Sequence, residues 1–249
     1  MLNVLVGLLC AATWATSSIL LKQLSRKLDP FTLNAPRSLI GGLAMLLLTL
    51  TTGRATAYSS LTLEKLLFLW GSVWVGGGIG DTFYLLSLPR IGVSRAFPIA
   101  SSYPAFTLLF GLLFLGDQVS VALVGGMALV LAGLLVITRS KLPSDVTSTR
   151  PMQVGGILFA VICSVCWAIS MILLAPGLKG LDQIMVASVR TPALSLILWG
   201  VVAARGSWRR YATLERGDWI LLVAGGLVGW GLGSILFLLS VSLLGPARA

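Results

Sequence analysis

Apolar runs of close to twenty residues follow one another along the chain, and short polar connections separate them. A helix needs about 20 mostly apolar residues to cross the hydrocarbon core of a bilayer. The pattern predicts eight such spans: Leu2–Leu21, Thr32–Leu50, Leu66–Leu88, Val93–Leu115, Val119–Thr138, Val154–Ala175, Ile184–Ala204 and Trp219–Leu243. The expected fold class is an all-α polytopic membrane protein, because a helix satisfies its own backbone hydrogen bonds inside lipid.

The later part of the chain repeats the earlier part at a constant offset of 153 residues. The matched pairs include Trp14 with Trp167, Ser17 with Ser170, Asp29 with Asp182, Arg37 with Arg190, Gly76 with Gly229 and Gly80 with Gly233. Apolar matches between membrane segments are common, whereas matched Trp, Asp, Arg and Gly at one offset are not. Because the repeated unit has five spans, the copy lies upside down in the membrane, which predicts the inverted repeat of secondary transporters.

The repeat divides the chain into three parts. We predict a first five-helix repeat over residues 1–140, a linker over 141–153 and an incomplete second repeat over 154–249. The polar stretch from Arg139 to Arg150 marks the linker. Ala249 matches Ala96, where the fourth span of the first repeat begins. We therefore expect the second unit to lack its last two helices and the sequence to be truncated after the eighth span.

Composition supports a membrane protein and argues against a nucleic-acid partner. Hydrophobic residues make up 57% of the chain and charged residues 10%, whereas about 25% of residues are charged in a soluble domain. The formal net charge is +10. Lys and Arg nevertheless lie in short connections between apolar runs, which is typical of membrane orientation rather than of nucleic-acid binding.

The basic residues are distributed unequally between the two sides of the predicted membrane. The side of the first connection collects Lys22, Arg26, Lys27, Arg90, Arg95, Arg139, Lys141, Arg150, Arg205, Arg209, Arg210 and Arg216. The opposite side collects Arg54, Lys65, Lys179 and Arg248. Since cytoplasmic connections are rich in Lys and Arg, this bias predicts an N-terminus outside the cell.

The sequence offers no recognisable enzyme or cofactor site. It contains no His, and its C-x-x-C pair, Cys163 and Cys166, lies inside an apolar span without further ligands for a metal. It also has no H-E-x-x-H motif, no pair of deep carboxylates and no glycine-rich phosphate loop. We predict no enzymatic activity, no metal and no cofactor.

Several motifs recur in a fixed order along the repeat. Each repeat has a Trp in its first span, an Arg early in its second span and a Gly-rich third span followed by Leu-Ser. The fourth span contains Pro104, the turn Leu115-Gly116-Asp117-Gln118 follows it, and the run Gly-Gly-Met-Ala-Leu-Val-Leu-Ala-Gly occupies residues 125–133. The order of these motifs resembles the EamA family of the drug/metabolite transporter superfamily.

The resemblance implies a ten-span protein of the cell membrane that moves small metabolites, amino acids or drugs, often in exchange with protons. It also implies an N-terminus inside the cell, opposite to the charge bias, and two spans more than this sequence carries. A membrane subunit without transport activity, or a degenerate fragment of a transporter, is the alternative function. Membrane lipid and a small-molecule substrate are the expected partners; oligomeric state stays open.

Asp81 is the only carboxylate well inside an apolar span. A charge at such depth costs roughly 2.5–3.5 kcal/mol on insertion scales, so it must face a cavity or a partner, or be protonated. Two interpretations remain open: a site that binds a proton or a cationic substrate, and a structural partner of an Arg. The residue that matches Asp81 in the second repeat is Ser234.

Further candidates for a substrate site surround Asp81 in the predicted arrangement. Mid-span Trp side chains away from the interface favour a central cavity, and a proline-broken helix in lipid must line protein or a wet cavity. The predicted lining comprises Trp14, Ser17, Tyr84, Pro98, Ser101, Tyr103, Trp167 and Ser170 together with Asp81. Arg37 and Arg190 are left with two interpretations, snorkelling to the interface or a gate or anion site.

Small residues recur every fourth position in the third span of each repeat. They are Ser72, Gly76 and Gly80 in the first repeat and Gly225, Gly229 and Gly233 in the second. Such a stripe lets another helix approach closely. We predict that these six residues form helix-packing surfaces.

Overall fold

The computed structural model describes residues 2–115, 121–139 and 150–244, and within these ranges it contains helices and no strand. The α-helices are α1 (Leu2–Leu21), α2 (Leu24–Lys27), α3 (Pro30–Thr51), α4 (Leu63–Val73), α5 (Asp81–Ile91), α6 (Val93–Ala100), α7 (Tyr103–Phe110), α8 (Val121–Arg139), α9 (Arg150–Leu178), α10 (Gln183–Ala204), α11 (Arg216–Gly225) and α12 (Ser234–Leu244). Residues 141–149 of the predicted linker lie outside the described residues.

Helical segments coincide with each of the predicted spans wherever the structure describes them. Five helices in the described ranges are long and apolar enough to cross a membrane: Pro30–Thr51, Val93–Leu113, Gln153–Leu178, Gln183–Ala204 and Arg216–Leu243. Leu5–Leu21 is a shorter apolar helix. The prediction of an all-α polytopic membrane protein is confirmed.

Two equivalent aspartates begin α3 and α10. The Asp29 carboxylate accepts hydrogen bonds from the backbone N–H groups of Phe31 and Thr32, both at 3.2 Å. The Asp182 carboxylate accepts one from the backbone N–H of Met185 at 3.0 Å. Each carboxylate therefore satisfies donors that the first helical turn leaves unpaired. The two caps fix where the second helix of each half enters the membrane region.

Ion pairs join the connections of the two halves. Asp29 lies 3.7 Å from Arg210, and Asp182 pairs with Arg54. Lys27 lies 2.8 Å from Asp218 at the start of α11, and the hydrogen bond to Asp218 raises the pKa of the Lys27 ammonium above its usual value. All three pairs are partly exposed, so each contributes little to stability. They specify which connections lie side by side.

The chain has two halves, residues 2–139 and residues 150–244, and the centre of the fold is a contact between them. Helix α3 packs along α10. Helix α1 packs against the segment from α11 to α12, while α9 packs against the segment from α4 to α5. Each half therefore inserts its first long helix against the third span of the other half. A cavity between the halves is expected in the space that α1, α9 and the two third spans enclose.

The third span of each half contains a π-helical stretch. Trp74–Gly80 connects α4 to α5, and Gly226–Gly233 connects α11 to α12. Stretches of π-helix are rare and occur often at functional sites. Both are rich in glycine, and both lie where a helix of the other half crosses.

The predicted small-residue stripes lie at these crossings. Ser72, Gly76 and Gly80 face α9, and a Cβ atom built on Gly76 would lie 2.5 Å from Ser170 Oγ. On the other side, a Cβ atom on Gly229 would lie 2.7 Å from Ser17 Oγ, and one on Gly225 would lie 3.1 Å from Leu21. A Cβ atom built on Gly233 would lie 3.1 Å from Thr13 Oγ1. The crossing helices therefore leave no room for a Cβ atom at Gly76 or Gly229 and little room for one at Gly225 or Gly233.

Replacing Gly76 by Ala is expected to destabilise the protein by about 1–3 kcal/mol, the usual cost of overpacking a close contact. The new Cβ would lie 2.5 Å from Ser170 Oγ and 2.8 Å from Ser170 Cβ, so α9 would have to move. Thermal unfolding of the purified protein in detergent measures the effect. Gly200→Ala on α10 is the matched control, because nothing lies within 4 Å of a Cβ there. Equal unfolding temperatures for the two variants would contradict the close crossing.

Candidate functional site: a cavity between the two halves

A cavity of about 240 Å³ lies between the two halves of the fold. Its lining comes from α1, the two π-helical stretches with the helices that follow them, α6, α7, α9 and α10. The residues are Gly7, Cys10, Ala11, Trp14, Gly76, Gly77, Asp81, Phe97, Ser101, Tyr103, Pro104, Trp167, Ser170, Met171, Arg190, Trp230, Ser234 and Phe237. Apolar and aromatic side chains form most of the wall, and a few polar groups converge on the interior.

Asp81 is the carboxylate of this wall, and it is 7% exposed. It is the first residue of α5, directly after the π-helical stretch. Its Oδ1 accepts a hydrogen bond of 3.0 Å from Trp167 Nε1 on α9. The Arg37 guanidinium is near enough for the two charges to interact. The carboxylate therefore joins both halves of the protein at the cavity surface.

Aromatic rings from both halves line the cavity together with Asp81. The ring centroids of Trp167 and Tyr103 are 5.9 Å apart in an edge-on arrangement. Those of Trp14 and Trp230 are 5.5 Å apart, also edge-on. Edge-on pairs of this spacing are favourable and rigid. The indole rings of Trp14 on α1 and Trp167 on α9 both belong to the wall of this cavity.

The fourth span is interrupted where it meets the cavity. Helix α6 ends at Ala100, and α7 begins at Tyr103. Ser101 and Tyr103 line the cavity, and the Ser102 hydroxyl lies 3.2 Å from the Ser164 hydroxyl of α9. The break therefore lies against protein and the cavity rather than against lipid.

Six of the residues predicted to line a cavity do so: Trp14, Asp81, Ser101, Tyr103, Trp167 and Ser170. The other three, Ser17, Tyr84 and Pro98, lie outside this lining. Ser17 donates to Gly225 O at 3.0 Å and packs in the helix crossing. Tyr84 is buried beside the rings of Trp167 and Phe97. Pro98 does not line the cavity, whereas Phe97, the preceding residue, does.

Snorkelling to the interface, one of the two interpretations of Arg37 and Arg190, does not fit their burial. Arg37 is 3% exposed and Arg190 is 6% exposed. Arg37 donates to Ser17 Oγ at 3.1 Å, and Arg190 Nε donates to Ser72 Oγ at 3.1 Å. Both guanidiniums therefore bind within the helix crossings. Arg190 also lines the cavity, so of the two earlier interpretations the second fits its position.

Several lining residues were not predicted from the sequence. Cys10, Phe97, Met171, Trp230 and Phe237 are apolar or weakly polar residues in apolar spans. Nothing in such a position separates a cavity wall from ordinary packing or from lipid contact. A usable signal did exist for Ser234, because it is the repeat equivalent of Asp81 and also lines the cavity.

Known proteins with similar sequences include three named relatives. An uncharacterized transporter of Archaeoglobus fulgidus is 27% identical over 205 residues, which cover 82% of this chain and 69% of the relative. Protein LicB of Haemophilus influenzae is 26% identical, with 75% of this chain and 62% of LicB covered. The pseudopaline exporter CntI of Pseudomonas aeruginosa is 26% identical, with 64% and 53% covered. The matched region is thus less than two thirds of the last two relatives.

A solved crystal structure has the same fold. It superposes with a TM-score of 0.62 at 19% sequence identity and covers 99% of this chain and 80% of the solved chain. At this identity the likeness shows the fold alone.

The family described as the EamA-like transporter family matches residues 1–139, which is more than half of the chain. The resemblance seen in the sequence motifs is thereby confirmed. Members of this family are transporters rather than enzymes, and they are multi-pass proteins of the cell membrane that act on small molecules. With its membrane-length helices and its cavity between two halves, this chain belongs to the EamA-like transporter family.

Proposed function

We propose that this protein is a secondary transporter that moves a small polar metabolite through the cavity between its halves. One observation carries the proposal: a buried carboxylate, Asp81, and a buried guanidinium, Arg190, line a single cavity enclosed by helices of both halves. Charged groups inside a membrane protein are costly and typically mark a substrate or ion pathway.

The size of the cavity favours a small metabolite over a drug. Pockets that bury drug-sized ligands measure roughly 300–1,000 Å³, and this cavity measures about 240 Å³. Its aromatic wall supplies apolar contact, while Asp81, Arg190, Ser101 and Ser170 supply polar groups. An amino acid or a metabolite of similar size fits this mixture.

The ion pairs between connections support an inverted repeat, with halves over residues 1–140 and 154–249. Asp29, which follows α1, pairs with Arg210, which follows α10. Asp182, which follows α9, pairs with Arg54, which follows α3. In both cases the connection after the first span of one half meets the connection after the second span of the other. Two halves with the same orientation would keep these connections on opposite sides of the membrane.

Asp81 is the group that we propose for proton coupling. It is the acidic residue of the cavity wall, and its repeat equivalent, Ser234, does not titrate. Hydrogen bonding to Trp167 links its charge state to the position of α9. A proton on Asp81 therefore changes a contact between the halves, which is the kind of contact that alternating access must make and break.

Cys10 provides a test of alternating access that requires no knowledge of the substrate. Its side chain lines the cavity, and the chain contains only two other cysteines, Cys163 and Cys166. In a Cys163→Ala/Cys166→Ala variant, a membrane-impermeant methanethiosulfonate reagent should modify Cys10 from either face of the membrane. Labelling is measured separately in right-side-out and inside-out vesicles.

A variant that also carries Cys10→Ala supplies the background and should remain unlabelled in both vesicle types. Modification from one face alone would mean that the cavity does not alternate, and the proposed transport mechanism would fail. The same result would favour the alternative of a membrane subunit without transport activity.

A further inference from the structure

Two repeat-equivalent arginines differ in how the protein neutralises them. Arg37 on α3 and Arg190 on α10 are separated by 153 residues, and both are buried at the crossing of the two halves. An unpaired guanidinium inside a membrane protein is costly, so each needs a negative partner or a set of hydrogen bonds. The two positions meet this need differently.

Arg37 finds both hydrogen-bond acceptors and a negative charge within the protein. Its terminal nitrogens donate to Asn34 Oδ1 at 3.3 Å and to Ser17 Oγ at 3.1 Å. Asp81 supplies a negative charge within interaction distance. Arg37 itself does not line the cavity. The terminal nitrogens and the charge of the first arginine are therefore met from within the protein, while its Nε has no hydrogen-bond partner among the described residues.

Arg190 lacks two of the three equivalent partners, while the third, Ser170, is present. The residue that corresponds to Asn34 is Ala187, and the residue that corresponds to Asp81 is Ser234. Its Nε donates to Ser72 Oγ at 3.1 Å, and its guanidinium carbon lies 5.9 Å from the ring centroid of Phe237. Within the part of the chain that the structure describes, the two terminal nitrogens have no hydrogen-bond partner and no carboxylate pairs with them.

Asp81 is not the negative partner of Arg190, although it lines the same cavity. Arg190 is held at Ser72, and Ser72 and Asp81 are separated by nine residues of one helical segment. That separation is on the order of 10 Å along the helix axis. Asp81 is already engaged by Trp167 and Arg37. The cavity thus contains a fork of N–H donors whose negative partner is missing.

We propose that Arg190 is the binding site for a carboxylate group of the transported solute. The inference rests on the proposed transport function and narrows its substrate to small carboxylic acids and amino acids. The planar guanidinium matches a carboxylate with two parallel hydrogen bonds. Ser72 orients the group through Nε and leaves the terminal nitrogens to the cavity. The carboxylate of the solute gives Arg190 the negative partner that Asp81 provides for Arg37.

Ser234 provides a sharp test, because its replacement by Asp restores the carboxylate that the first repeat has. Ser234 lines the cavity and lies one helical turn before Phe237, the ring beneath Arg190. We expect Ser234→Asp to raise the unfolding temperature of the purified protein, since an internal carboxylate now pairs with Arg190. Ser234→Asn, of the same size without charge, should not raise it.

Ligand binding is measured by the rise in unfolding temperature with added sodium acetate, compared with acetamide and sodium chloride at equal concentrations. For the native protein we expect acetate to stabilise more than either control. In Ser234→Asp the apparent affinity for acetate should fall by at least about tenfold, and by more than in Ser234→Asn. Arg190→Gln should also lose the acetate effect.

Equal stabilisation by acetate and acetamide, or by acetate and chloride, would overturn the carboxylate assignment. So would an acetate effect that persists unchanged in Ser234→Asp. Because binding is measured without any transport step, these results are independent of the labelling of Cys10. A protein that binds acetate at Arg190 and whose Cys10 is labelled from one face alone would retain this site while losing the transport proposal.

Discussion

Asp81→Asn is expected to lower the rate of transport by about 10- to 100-fold and to remove its dependence on a pH gradient. Asn has nearly the same shape as Asp, and its Oδ1 still accepts the hydrogen bond from Trp167. What disappears is the negative charge and the group that takes up a proton. A hydrogen bond to a charged group contributes about 1.5–3 kcal/mol, and about 1.4 kcal/mol corresponds to a factor of ten.

The measurement uses purified protein in proteoliposomes, with and without an imposed pH gradient. A panel of radiolabelled amino acids and small carboxylic acids identifies the solute that the native protein moves fastest, and the variants are assayed with that solute. Glu64→Gln is the matched control, because Glu64 is an exposed carboxylate in the first turn of α4. A native rate and a native pH response in Asp81→Asn, at equal protein content, would remove Asp81 from the mechanism.

Arg37→Met is expected to destabilise the protein by about 3–5 kcal/mol, the usual effect of removing one partner of a buried charge pair. Met fills the space of the apolar stem but leaves Asp81 without its positive neighbour. It also removes the hydrogen bonds to Asn34 and Ser17 at the crossing of the two halves. The unfolding temperature in detergent should fall well below that of the native protein.

A double variant separates charge from packing. In Arg37→Met/Asp81→Asn the unpaired negative charge is gone, so its unfolding temperature should lie above that of Arg37→Met alone. Arg216→Met provides the control, since Arg216 is an exposed arginine at the start of α11. If the destabilisation of the double variant equals the sum of the destabilisations of Arg37→Met and Asp81→Asn measured separately, the two charges do not interact in the folded protein.

Sequence reasoning located the charged centre of the cavity because lipid makes a mid-span carboxylate or indole conspicuous. Asp81, Trp14 and Trp167 could be selected on depth alone, and all three line the cavity. Arg190 could not be selected in the same way. Its depth in its span allows either snorkelling or burial, and only the approach of α4 with Ser72 decides between them.

Side-chain packing accounts for the residues that lie outside the lining. Residues three apart in sequence share one face of a helix, but sharing a face does not decide which side chain reaches the cavity. Tyr84 lies three residues after Asp81, contacts the same Trp167, and packs against the rings of Trp167 and Phe97, which themselves line the cavity. Ser17 lies three residues after Trp14 and reaches Gly225 O. The helix spans themselves followed from apolar length and needed no such detail.

The π-helical stretch Trp74–Gly80 makes the direction of Asp81 depend on chain length. A π turn accommodates more residues than an α turn, so everything after it is rotated relative to an uninterrupted α-helix. A related chain one residue shorter here would revert to α-helix and turn the following carboxylate by about 100°. Evolution can therefore move this charge into or out of the cavity by insertion or deletion as well as by substitution. When related sequences are aligned across the stretch, a one-residue gap must be allowed before the acidic residue is judged to be missing.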